Sequence, residues 1–249
     1  MDYRDYFDKL GVDFVSQRLY YIRTIRATSK TKEGNMPNWC NNTITISGPK
    51  DKITKLYNDA VAENGLLQVM YPMPKSLEDT TSPMPSDASD EEKNRARANK
   101  IRYGFDNWYD WRVQNWQTKW DVDIDQLELS EDGTNISGWF DSAWSPPVGA
   151  YEEFLARNED CSIKSLYYEG GMDFGGEWYD GGDTCITVSD YTADQMEDPN
   201  EGLIYELNEH FNFSEAVREY EEEQANEDAQ KVHDFVVDGK AVNGKMETA

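Results

Sequence analysis

The sequence predicts an α+β fold, a split βαβ antiparallel sheet with two helices on one face, an insertion between its halves, and helical extensions at both ends. Three observations carry this. Polar and apolar residues alternate in Thr43-Ile44-Thr45-Ile46-Ser47, which gives a strand that stops at Gly48-Pro49. Ile53, Leu56, Tyr57, Ala60 and Val61 then recur at helical spacing, with Pro49 suited to the first turn and Asn64-Gly65 to the stop. After residue 119 the strand, helix, strand cycle returns.

Each element follows from its own pattern. Residues 2–28 place Phe7, Leu10, Phe14, Val15, Leu19 and Ile22 near one helix face, which Gly11 weakens, and the polar residues 28–35 form a linker before Met36, a possible second start. Leu66 to Tyr71 reads as a strand. Pro72, Pro74, Pro83 and Pro85 make residues 72–89 a surface stretch that sustains neither helix nor central strand, and Asp90 to Arg102 forms a charged helix. Lys119 to Leu129 reads as a strand in which Val122 and Ile124 alternate with Asp121, Asp123 and Asp125. Glu131-Asp132-Gly133-Thr134 is a hairpin turn, and Asn135 to Asp141 the returning strand. Ser145-Pro146-Pro147 opens a helix carrying Val148, Tyr151, Phe154 and Leu155, and Ser162 to Tyr168 is a strand. Gly175-Gly176, Gly181-Gly182 and Cys185 to Val188 suggest a last hairpin. The order is that of a ferredoxin-like arrangement with antiparallel additions. It occupies residues 36–190 with an insertion at 72–115, between extensions at 1–35 and 191–249. In the last segment Leu203, Ile204, Leu207 and Phe211 mark one helix, the Glu-rich Ser214 to Phe235 marks another with Ser214 as N-cap, and Gly239 to Ala249 has no pattern.

Charge and composition exclude several functions. The net charge of −25 falls on the middle and the tail: residues 36–190 hold 13 Lys/Arg against 28 Asp/Glu, and residues 191–249 hold 4 against 16. Such acidity repels phosphate backbones, so direct nucleic-acid binding is not expected. The same surface suits solubility, or imitates nucleic acid toward a basic groove on a partner protein. Cys40, Cys161 and Cys185 form no Cys-x-x-Cys pair, and only His210 and His233 add imidazoles, so no metal and no cofactor is expected. With no long apolar run and no signal-peptide pattern, a cytoplasmic protein without membrane contact is expected.

Tryptophan carries most of the chemistry. Trp108, Trp111, Trp116 and Trp120 alternate with polar residues, and with Arg112 and Lys119 they have the composition of a stacking platform; packing against helices explains the same residues. Trp120 and Trp144 border strands and suit core anchors. The run Asp121-x-Asp123-x-Asp125 resembles the start of a calcium loop, but Gln126 replaces its turn glycine and a solvated strand face suffices. Gly170-Gly171 fits a tight hairpin better than a phosphate cradle. No nucleophile sits beside a base in a recognisable spacing, so no catalytic residue is assigned. Glu169, Asp173 and Glu177 can share one hairpin face, which keeps open a hydrolase or small-ligand enzyme using carboxylates near Trp144 and Glu169.

Met36-Pro37-Asn38-Trp39-Cys40-Asn41-Asn42, the strand ending at Gly48, Pro72-Met73-Pro74, Asn115-Trp116-Gln117-Thr118-Lys119-Trp120-Asp121-Val122 and Phe140-Asp141-Ser142-Ala143-Trp144-Ser145-Pro146-Pro147 stand in a specific order. Over Met36 to Val188 this resembles the YubB/Api92-like ferredoxin-like family of phage and plasmid proteins. The resemblance implies a ferredoxin-like domain without an iron–sulfur cluster, an origin on a mobile element, and Trp39, Trp120, Trp144, Pro146, Pro147 and Gly170 as fold-motif residues. It places glycine where this chain has Gln117. It transfers no activity. The expected function is that of a phage accessory protein binding a host or phage protein, through Trp108, Trp111, Arg112, Trp116 and Lys119 or through the acid tail, and inhibiting host defence or nucleic-acid machinery. A structural or assembly component is the further alternative.

Overall fold

In the computed structural model, residues 38–223 are described together with residues 225, 226, 229 and 230. The expected helix at 2–28, the linker, Met36, His233 and the patternless end lie outside the described residues. The chain divides into two compact units between Val188 and Ser189.

The first unit is α+β. Strand β1 (Trp39–Ser47) leads to helix α1 (Lys50–Glu63), and strands β2 (Leu127–Leu129) and β3 (Asn135–Ala143) form a hairpin. Helix α6 (Val148–Arg157) leads to β4 (Ser162–Glu169), β5 (Phe174–Tyr179) and β6 (Gly182–Thr187). The six strands form one antiparallel sheet in the order β2-β3-β1-β4-β5-β6. Cys40, Asn42, Ile44 and Ile46 are buried on one face of β1, while Trp39, Asn41, Thr43 and Thr45 alternate onto the other. Ile53, Leu56 and Ala60 of α1 and Val148, Tyr151 and Phe154 of α6 complete the core over the first face. Burying each Ile or Leu contributes about 1.5–3 kcal/mol, which fixes the register, since a one-residue slip would turn the isoleucines outward.

Between α1 and β2 lie α2 (Leu67–Met70), α3 (Lys75–Glu78), α4 (Asp90–Tyr103) and α5 (Trp108–Asn115). Here the structure corrects three expectations. Leu66 to Tyr71 is not a strand: Leu66, Leu67 and Met70 are buried in a single helical turn. Residues 72–89 include the turn α3 and send Met73 and Leu77 into the core, so this stretch is not purely a surface feature. Lys119 to Ile124 is irregular, and strand pairing begins only at Leu127. The cause of the first and third is shared. The Asp121 carboxylate turns inward and accepts hydrogen bonds from the backbone N–H groups of Leu67 (2.7 Å), Gln68 (2.9 Å) and Val122 (2.8 Å), so it caps α2 and leaves no alternating face. The expected charged helix is α4, and it opens on a capping box formed by Ser89 and Glu92.

In the second unit, α7 (Ala193–Met196) and α8 (Leu203–Phe211) precede a helix over 213–223. Ser214 lies inside that helix and is not its N-cap, because its backbone N–H donates to Asn208 Oδ1 and its hydroxyl accepts from Asn208 Nδ2. Arg218 bridges to Asp194 (2.9 Å) and Glu197 (2.7 Å). None of the described helices is long and apolar enough to cross a membrane.

Candidate binding site

The tryptophan-bearing stretches converge at one end of the sheet, held by a buried polar network. Asn42 Nδ2 donates to Ser142 Oγ (2.9 Å) and to the Cys40 carbonyl (2.8 Å). Ser142 Oγ donates to the Ser145 carbonyl (2.7 Å), and Ser145 Oγ to the Gln117 carbonyl (2.6 Å). Thr118 Oγ1 both donates to the Ala143 carbonyl and accepts from the Ala143 N–H, each at 3.0 Å. The Trp144 N–H reaches the Asn38 carbonyl at 2.9 Å. One chain of bonds therefore joins the start of β1, the loop at 115–122 and the turn between β3 and α6. Pro146, Pro147 and Gly170 are buried beside it.

Of the residues expected to form a stacking platform, Trp111 and Trp116 face inward, while Trp108, Arg112 and Lys119 are partly exposed. Trp111 and Trp116 are buried in the core, edge-to-face with each other at 5.8 Å, and Trp116 Nε1 donates to the Tyr71 carbonyl at 2.8 Å. Arg112 lies over the rings of Trp108 (5.3 Å) and Trp116 (4.7 Å), and burial pushes its guanidinium pKa down. Trp111 is the residue that α5 buries, and there it also meets Tyr71 at 5.1 Å. Lys119 remains near the surface, its ammonium 4.3 Å from the Trp120 ring and 5.9 and 5.8 Å from those of Tyr109 and Trp144.

A different set of side chains forms a cleft of about 500 Å³ beside the end of β3. It is lined by Trp39, Trp120 and Trp139, by Asp121, Asp123, Asp125 and Asp141, and by Gln126. Alternation along β3 puts Trp139 and Asp141 on the sheet face opposite the helices, where they pair with Thr43 and Asn41. Trp39 and Trp120 stand 5.8 Å apart at a 34° tilt. Gly138 sets the width: a Cβ there would fall 2.0 Å from the Gln126 carbonyl, so only glycine lets the segment before β2 lie against β3. Asp121 has its acceptors committed to backbone, and burial raises its pKa. Asp123 Oδ1 accepts from the Asp125 N–H at 2.9 Å, and Asp141 accepts from Asn41 Nδ2. Among the described residues no lysine or arginine lines the cleft.

Trp39 and Trp120 are thus only half-buried, and neither belongs to the core cluster, so Trp120 is not the core anchor expected of it. Trp139, 54 % exposed, went unnoticed in the sequence because it sits inside a strand. Its signal is parity: Phe140 takes the inward position, which leaves a tryptophan where an open sheet face calls for a polar residue.

The carboxylates proposed for hydrolysis are not gathered on one face. Glu169 is fully buried on the helix side opposite Cys40, and its two oxygens accept from the N–H groups of Gly171 (2.8 Å) and Met172 (2.7 Å). Glu177 pairs across from Leu166 on the other face and bridges to Lys164 at 2.8 Å. Burial, reinforced by Glu169, pushes the Cys40 thiol pKa well up, which removes it as a ready nucleophile. His210 lies in the second unit on α8. Among the described residues no group of three or more His, Cys, Asp and Glu could hold a metal ion. No protein-family model matches the chain, and neither a curated protein nor a solved structure matches it.

Proposed function

We propose that this chain is an accessory protein of a mobile genetic element that acts by binding a protein with a basic surface, and that the cleft between Trp39, Trp120 and Trp139 is its contact site. The observation that carries this reading is the cleft itself, with three indoles and several carboxylates around a concavity that, among the described residues, no lysine or arginine lines. Aromatic anchors at the centre of a surface patch with charge at its rim are the usual composition of a protein contact. The overall acidity favours encounter with a basic partner and disfavours nucleic acid.

We further propose a ferredoxin-like core within the α+β unit. The order β2-β3-β1-β4, with helices following β1 and β3, supports this, and β5 and β6 extend the sheet beyond it. The resemblance to the YubB/Api92-like family points the same way and supports the mobile-element origin.

Site-specific photo-cross-linking tests the binding reading. A photoreactive phenylalanine analogue at Trp139 should yield a discrete adduct in bacterial lysate at low salt, and the same analogue at the exposed Ile101 on α4 should not. Equal labelling from both positions, or none from 139, overturns it.

A further inference from the structure

Resting on the proposed binding role, we infer that the cleft takes an arginine side chain from an extended basic segment of its partner. Three features select this occupant over the alternatives. The walls are indoles, whose electron-rich faces attract a cation and offer a flat surface to a planar one. The remaining walls and rim carry Asp123, Asp125 and Asp141: Asp123 accepts from the Asp125 N–H and Asp141 from Asn41 Nδ2, and among the described residues no lysine or arginine lines the cleft beside them. Planarity then discriminates between the two cations: a guanidinium stacks on an indole while its N–H fork reaches carboxylates in its own plane, whereas an ammonium gains only a point contact.

The surrounding geometry admits such a residue from solvent. Trp139 and Asp141 are exposed on the sheet face opposite the helices, and Trp120 with Asp123 and Asp125 belongs to the irregular segment that Gly138 brings alongside. The cleft therefore runs between a strand and a loop and suits an extended chain laid beside β3. Lys119 is not among its lining residues; its ammonium is engaged with the rings of Tyr109, Trp120 and Trp144. Phosphate-bearing ligands would meet carboxylates and be repelled. A sugar could lie on the indoles, but its neutral hydroxyls would leave the acidic charge without a counterpart.

The test uses the full chain labelled with nitrogen-15 and the peptide acetyl-Gly-Arg-Gly-Arg-Gly-amide. Indole N–H resonances are assigned by Trp→Phe substitution. At low salt the peptide should shift the signals of Trp39, Trp120 and Trp139 and leave those of the buried Trp116 and Trp178 in place. Replacing both arginines by citrulline, which keeps the planar head and removes the charge, should weaken binding about tenfold or more, and lysine should be intermediate. Trp139→Ala and Asp141→Asn should each weaken the arginine peptide severalfold, and the unshifted indole signals report that both variants remain folded. Equal affinity for arginine and citrulline, shifts confined to other tryptophans, or a response to cellotriose with none to the peptide would each overturn the assignment. If the cross-link at 139 forms while the peptide fails, the arginine assignment falls and the binding role stands; if both fail, both fall.

Discussion

At the scale of single residues, Asp121 joins fold and cleft, and its chemistry sets two measurable effects. Its carboxylate closes three backbone donors that would otherwise be buried without partners. Asp121→Ala should therefore cost about 2–4 kcal/mol in urea unfolding, because unpaired buried N–H groups are expensive. A cost under about 0.5 kcal/mol would mean that water replaces the carboxylate. Burial also raises the folded-state pKa of Asp121 above its unfolded value, despite the hydrogen bonds that lower it. A raised carboxyl pKa contributes stability fully present below the unfolded value and lost as pH rises through the folded one. Comparison with Asp121→Asn, which does not titrate, isolates the effect. The stability of the wild-type chain relative to that variant should fall as pH climbs from about 4 toward neutrality, and a difference independent of pH would refute it. Gln117 makes the complementary point. Its φ of 64° is a left-handed conformation that suits glycine. Gln117→Gly should raise stability by about 0.5 kcal/mol, read as a higher urea midpoint at unchanged slope.

At the scale of elements, local signals were legible wherever one short segment contains its own cause. The alternation of β1, the amphipathic spacing of α1 and α6 and the Glu131-Asp132-Gly133-Thr134 turn are all of this kind; the Ser89 to Glu92 box of α4 is just as local but emerged only with the structure. Ser89→Ala should accordingly cost about 1 kcal/mol and destabilise α4, seen as faster amide exchange in its first turn. What could not be read was structure imposed from a distance. Leu66 to Tyr71 has an apolar run compatible with strand or helix, and it becomes a helical turn because Asp121, far along the chain, caps it. The same inward turn of Asp121 ends the apparent alternation of Asp121, Asp123 and Asp125, so an expected strand became the wall of a cleft. The candidate site was legible only in part. Trp39, Trp120 and Asp141 belong to the motifs that stand out in the sequence, whereas Trp139 and the exclusion of Trp111 and Trp116 depend on which way a strand and a helix turn. A periodic pattern shows that one face is buried, but not what lies across from the other.

For the whole molecule, one charge distribution should act with opposite sign on folding and on binding. The net charge of −25 opposes compaction through self-repulsion. The ion pairs Lys52 with Asp160, Arg157 with Glu153 and Lys164 with Glu177 are at least partly open to solvent, and such pairs contribute about 0–1 kcal/mol each. Screening should therefore relieve more repulsion than it removes attraction. Between about 0.05 and 0.5 M sodium chloride the Debye length falls severalfold, and the thermal midpoint should rise by about 2–5 °C. A fall would mean that the ion pairs outweigh the repulsion. Occupation of the cleft by the arginine peptide is an attraction between unlike charges at a partly exposed site, so its affinity should drop over the same range. Stability and affinity measured on one sample series should thus diverge as salt increases. If both rose together, hydrophobic contact with the indoles would dominate binding, and the carboxylates around Trp39, Trp120 and Trp139 would be spectators to it.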